Sequence, residues 1–175
     1  MYLGMPATVA PILVRPLLET VRAHLPKVVP HIVEAMSGYL LEWLHSGRLD
    51  AAVLFDVQQL SGLRSSRIGK ERMYLVDPAG AFPAGQFVTL AEVAKHPLII
   101  PGRMHGMNLL ISNAVRQQNL TLDVRVEVDS VAEMISLMKA GLGYTLLARM
   151  GFHRELQEGN VSVAEVHSRR SYERW

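Results

Sequence analysis

The stretch HIVEAMSGYLLEWLHSGRLDAAVLF, His31 to Phe55, changes its hydrophobic period twice. Its opening, which continues the run Val28 to Glu34, reads as a short strand of β-branched residues. Ser37 then stands where a helix N-cap belongs. Leu40, Leu41, Trp43 and Leu44 recur at helical spacing, and Gly47 supplies the stop. Asp50 to Phe55 ends in the unbroken apolar run AAVLF, the pattern of a buried strand. Strand, helix and strand in this order predict a βαβ unit with parallel strands and a right-handed crossover.

The alternation extends in both directions. Tyr2 to Met5 is a strand-like run, and Val9 to Leu25 predicts an amphipathic helix. Leu13, Leu17, Val21 and Leu25 form its apolar stripe, and Arg15, Glu19 and Arg22 lie on another side. Pro11 suits its first turn, whereas Pro16 removes an interior hydrogen bond and predicts a kink or a delayed start. The first lobe therefore reads β-α-β-α-β. Leu63 to Ile68 and Met73 to Val76 are strand-like and bridged by Gly69-Lys70-Glu71. Asp77 to Phe87, rich in Pro, Gly and Ala, reads as a crossover between lobes.

The pattern then restarts. Thr89 caps a short helix through Ala94, Leu98 to Ile100 is a strand, His105 to Gln118 a helix and Leu122 to Val128 a strand. Ser130 and Glu133 form a capping box for a helix to Ala140 that Gly141 stops. Tyr144 to Ala148 is a strand, followed by a helix near Met150 to Gln157 and a strand near Val161 to Val166. The fold class is α/β, with two Rossmann-like lobes.

At 175 residues, 49% hydrophobic and 19% charged, the chain can bury a core and is the size of one domain or two small lobes. A net charge of +2 argues against a dedicated nucleic-acid surface. The one dense basic cluster, His167-Ser168-Arg169-Arg170, reads as a solvated strand edge. The absence of cysteine excludes disulfides and thiolate chemistry. No apolar run approaches the roughly 18 residues of a membrane span. The N-terminus has prolines and no basic leader where a signal helix would run. These features predict a soluble cytoplasmic protein with no membrane contact.

Two such lobes are expected to enclose a cleft at the carboxyl ends of their strands, where helix N-termini favour anions. The loops expected there are Pro6-Ala7-Thr8, Met36-Ser37-Gly38, Pro101 to Gly106 and Asp129-Ser130. Thr8, Ser37 and Ser130 each read as a cleft-facing hydroxyl or as a helix N-cap, with capping the favoured role and most strongly so for Ser130 beside Glu133. Arg103 reads equally as a solvated loop residue or as a planar carboxylate clamp. His105 is a helix-start hydrogen bonder or a ligand contact, and Phe55 is core or the apolar floor of the cleft. A Ser37, His105 and Asp56 constellation lacks the elbow of a strained nucleophile. The histidines lack metal spacing, and Gly102 to Gly106 lacks a phosphate-loop pattern. No catalytic residue, metal or cofactor is therefore expected.

The blocks GMPATVAPILVRPLLETVRAHLP, IVEAMSGYLLEWLHSGRLDAAVLF, PLIIPGRMHGMNLLI and VEVDSVAEMISLMKAGLGYTLL together resemble the effector-binding domain of LysR-type transcriptional regulators. The resemblance is nearest to the nitrogen-assimilation-control branch. Its most specific mark is the Gly47-Arg48-Leu49-Asp50 turn between helix and strand. The resemblance implies a periplasmic-binding-protein type II fold that clasps a small effector. It places ligand contacts at Thr8, Ser37, Phe55, Pro101, Arg103 and His105. It also implies a homodimer or tetramer built through the first helix and second strand, with Leu17, Leu18, Val21 and Val29 implicated.

The family's winged helix-turn-helix is not in this sequence, so DNA binding is expected only through a missing N-terminal domain. Residues 1–77 are expected to form the first lobe, 78–166 the second, and 167–175 the start of a return to the first. The chain thus reads as a truncated piece. The function expected is effector sensing for a transcription regulator, with a small anionic metabolite as ligand. The alternatives are a solute-binding protein of a transport system or an enzyme on the same fold.

Overall fold

The computed structural model describes residues 1–55, 61–103 and 105–167. Asp56, the Ser168 to Arg170 part of the basic cluster and the expected return to the first lobe lie outside the described residues. The chain divides into two compact units. One holds residues 1–67 together with His105 and Gly106, and the other holds 68–103 and the chain from 107 onward. The division falls at Arg67/Ile68, whereas the sequence reading places it after Asp77. The strand that begins at Met73 pairs only within the second unit.

The first unit is the expected β-α-β-α-β. It comprises β1 (Tyr2–Met5), α1 (Ala10–His24), β2 (His31–Glu34), α2 (Ser37–His45) and β3 (Ala51–Ala52). All strands are parallel in the order β2-β1-β3, so the winding reverses across β1. Helix α1 carries Pro11 in its first turn and runs on through Pro16. Gly47, at φ 71°, ends α2 as expected. The strand expected over Asp50 to Phe55 pairs over only two residues, because β3 is an edge with β1 as its single neighbour. Gly4 permits the close packing of this unit. A Cβ there would lie 2.6 Å from Leu40 Cδ2 and from Leu49 Cδ1, both on buried side chains.

The strand expected over Leu63 to Ile68 does not form. Arg64, Ser65, Ser66 and Arg67 are exposed and, among the described residues, no strand offers them a ladder, so the segment stays irregular. The second unit then contains β4 (Met73–Pro78), β5 (Phe87–Thr89), α3 (Leu90–Val93), β6 (Pro97–Ile100), α4 (Gly106–Gln117), β7 (Asp123–Glu127), α5 (Val131–Lys139), β8 (Tyr144–Ala148), a 3-10 turn (Arg149–Phe152), α6 (His153–Gln157) and β9 (Val161–His167). Gly106 opens α4 but belongs with the first unit.

The second sheet is mixed, in the order β5-β9-β4-β8-β6-β7. Strands β6, β7 and β8 are parallel to one another, and β4 runs antiparallel to both β8 and β9. The core lies on this sheet. Leu75, Val76, Leu98, Ile99, Leu147 and Met138 are inaccessible to solvent. Thr89 makes a complete capping box: its Oγ1 accepts from Glu92 N at 3.2 Å and its N–H donates to Glu92 Oε2 at 2.6 Å. Among the described residues, no helix is long and apolar enough to cross a membrane.

Candidate functional site

In the first unit the carboxyl ends of three parallel strands present Thr8 after β1, Ser37 after β2 and Phe55 after β3. An open α/β sheet binds ligands at this end, where its winding reverses. The capping roles expected of Thr8 and Ser37 are not seen. The N-cap of α1 is Val9 and that of α2 is Met36, neither with a side-chain cap bond, and Ser37 is the first residue inside its helix. Both hydroxyls are thereby released from the helix ends.

Ser37 is buried and ties two loops of this unit together. Its Oγ accepts a hydrogen bond from Phe55 N at 3.0 Å, and its own proton remains available to an acceptor. Ser37→Ala should cost about 1 to 3 kcal/mol in chemical denaturation, because it strands the Phe55 N–H. Thr8 is 4% exposed, and its Oγ1 has no hydrogen-bond partner among the described residues. His105 is also buried, and Gly106 brings its backbone to Phe55, where a Cβ would lie 3.0 Å from the carbonyl oxygen. Thr8, Ser37, Phe55 and His105 are thus all groups of one unit, three of them at its strand ends.

In the second unit the loop after β6 carries Pro101 and Arg103. Pro101 is buried and its carbonyl accepts from Asn108 Nδ2 at 2.7 Å, while Ser112 Oγ donates to Asn108 Oδ1 at 3.0 Å. Asn108 interrupts the apolar face formed by Met107 and Ile111, a polar break that marks the position in the sequence. The Gly102 N–H donates to Asp129 Oδ1 at 2.8 Å, so the chain's own carboxylate already occupies the loop amide. A Cβ on Gly102 would meet that oxygen at 2.9 Å. Arg103 is exposed.

Ser130 does cap α5, accepting from Glu133 N at 3.3 Å. Its hydroxyl therefore serves the helix, as the capping reading has it. Among the described residues no group of three or more His, Asp or Glu could hold a metal ion.

A fold and strand-end chemistry of this kind have known counterparts. The LysR substrate binding domain family matches residues 2–175. The chain belongs to that family. It is 31% identical to the nitrogen assimilation regulatory protein nac of Klebsiella aerogenes over 142 residues, covering 81% of this chain and 46% of the relative. It thus spans about half the length of the curated relatives it matches.

Among solved structures, the effector binding domain of QuiR in complex with shikimate superimposes with a TM-score of 0.84 at 16% identity. That match covers 98% of this chain and 82% of the other. The CcmR regulatory domain of Synechocystis PCC6803 in complex with 2-PG gives 0.83 at 12% identity over 95% and 80% of the two chains. The LysR-domain fold is the periplasmic-binding-protein type II fold, as the sequence resemblance implies.

Proposed function

We propose that this LysR substrate-binding domain is the effector-sensing part of a DNA-binding transcription regulator, and that its effector is a small anionic metabolite. The observation that carries this reading is Thr8. A hydroxyl withheld from both solvent and protein partners, at the carboxyl end of the central strand of a parallel sheet, is a group kept for a ligand. Within the same unit Ser37 adds a spare donor beside Phe55. In the second unit, taken by itself, Arg103 is an exposed planar cation suited to a carboxylate. The relatives are regulators, which supports sensing over catalysis.

The effector acts by binding one conformation better than another, since only differential affinity can shift such an equilibrium. Self-association is part of the proposal. Leu18 on α1 and Val29 before β2 are exposed, at 38% and 83%, and fit an interface. Val21, implicated with them by resemblance, is buried in the core of its own unit.

A melting-temperature screen of small carboxylates tests the reading. At least one acid should stabilise the protein in a concentration-dependent way. Silence across the acids, with stabilisation by neutral or cationic compounds instead, would contradict it. Thr8→Val separates the ligand role from a structural one. The variant should melt no lower than the parent and should lose affinity for the stabilising acid. A hydroxyl that served the fold would instead lose about 0.5 to 1.5 kcal/mol.

A further inference from the structure

Glu71 Oε2 is, with Thr8 Oγ1, one of two buried side-chain polar atoms without a hydrogen-bond partner among the described residues. Glu71 lies two residues before β4, whose Met73 pairs with Ala148 at the end of β8. It therefore sits at the carboxyl end of β8, on the edge of the second sheet that also carries the loop after β6 and Asp129. The Met150 N–H, from the turn that follows β8, faces the Glu71 carboxylate and favours its charged form. The neighbouring Arg72 forks onto Glu165, at 2.8 and 2.9 Å. Burial pushes the Glu71 carboxyl above its usual range.

An acceptor kept from water with no donor penalises folding, and such groups concentrate at functional sites. Within the sheet, β8 alone separates β4 from β6, so facing positions of these two strands are two strand spacings apart, about 10 Å, and Glu71 and the Pro101 to Arg103 loop extend those strands at the same end of the sheet. That span is within the combined reach of a glutamate, an arginine and a small molecule between them.

We infer that Glu71 is a specificity-determining residue for the effector: through Oε2 it accepts a hydrogen bond from a hydroxyl or ammonium group that the effector carries besides its acid. The inference rests on the effector-binding function proposed above and narrows it to small hydroxy or amino acids. Asp129 satisfies the Gly102 amide, so the acid group is left to Arg103 while Glu71 reads the second substituent.

The test is a binding comparison on the intact chain with matched probes: lactate against propionate, malate against succinate, and γ-aminobutyrate against butyrate. Glu71→Gln keeps a carbonyl for Met150 N–H but replaces the free acceptor with a donor. The parent should prefer the substituted member of at least one pair by about tenfold or more, the scale of a hydrogen bond to a charged group. Glu71→Gln should abolish that preference, retain the affinity for the unsubstituted acid and melt no lower than the parent. Equal binding of both members by the parent, or a preference that survives in Glu71→Gln, overturns the role of Glu71 and leaves effector binding standing. A Glu71→Gln variant that melts lower than the parent also overturns it, since the carboxylate would then serve the fold. Failure of every acid to bind the parent overturns both proposals together.

Discussion

Phe152→Ala should destabilise the second unit by about 3 to 5 kcal/mol, the cost of deleting a large aromatic side chain from a packed core. Phe152 is 1% exposed and meets Tyr74 edge to face, with ring centroids 5.5 Å apart. It closes the turn that follows β8, and Tyr74 lies in β4, so the ring pins one end of β8 to its antiparallel neighbour. Edge-to-face geometry adds about 0.5 to 1.5 kcal/mol beyond the area buried. A loss of this size is a large part of the 5 to 15 kcal/mol that folded domains possess. Urea denaturation followed by circular dichroism should show the midpoint falling with little change in slope. A shift worth less than about 1 kcal/mol would mean that the ring is not part of the core.

Arg103→Ala should weaken binding of the effector about ten- to a hundredfold. A charge-assisted hydrogen bond to a carboxylate is worth roughly 1.5 to 3 kcal/mol, and each 1.4 kcal/mol is a factor of about ten. The loop that carries Arg103 is fixed independently of it, by Asn108 on the Pro101 carbonyl and Asp129 on the Gly102 amide. The substitution should therefore leave the melting temperature unchanged while the calorimetric affinity falls. Arg103→Lys should recover only part of the loss, because a point charge does not reproduce the planar donor fork. Unchanged affinity in Arg103→Ala would remove this residue from the site.

The elements that sequence made legible are those whose signals are local. Gly47 and Gly141 end their helices at φ values of 71° and 75°, conformations that favour glycine. Thr89 and Ser130 sit at the offset from Glu92 and Glu133 that a capping bond needs. Thr8 and Ser37 have no such partner, and without one a single residue of offset separates a cap from its neighbour. Structure places the caps at Val9 and Met36, which frees the two hydroxyls. Leu63 to Ile68 has apolar ends but no strand to pair with, a fact of tertiary structure that composition does not carry.

The ligand-contact positions inferred by resemblance fall at strand ends or in the loop that opens α4, because the βαβ order dictates which loops lie there. Glu71 was not legible as a functional group, and Asn108 showed in the sequence only as a polar break in an apolar helix face. The burial of one and the carbonyl partner of the other depend on contacts that no periodicity encodes.

Amide chemical-shift mapping during titration of the most stabilising small acid tests the central claim most directly. The account predicts saturable shifts at Thr8, Phe55 and His105 of the first unit, with the exposed face of α1 unaffected. Saturable shifts confined to α1, or a stabilising acid that leaves all three amides unmoved, would contradict it.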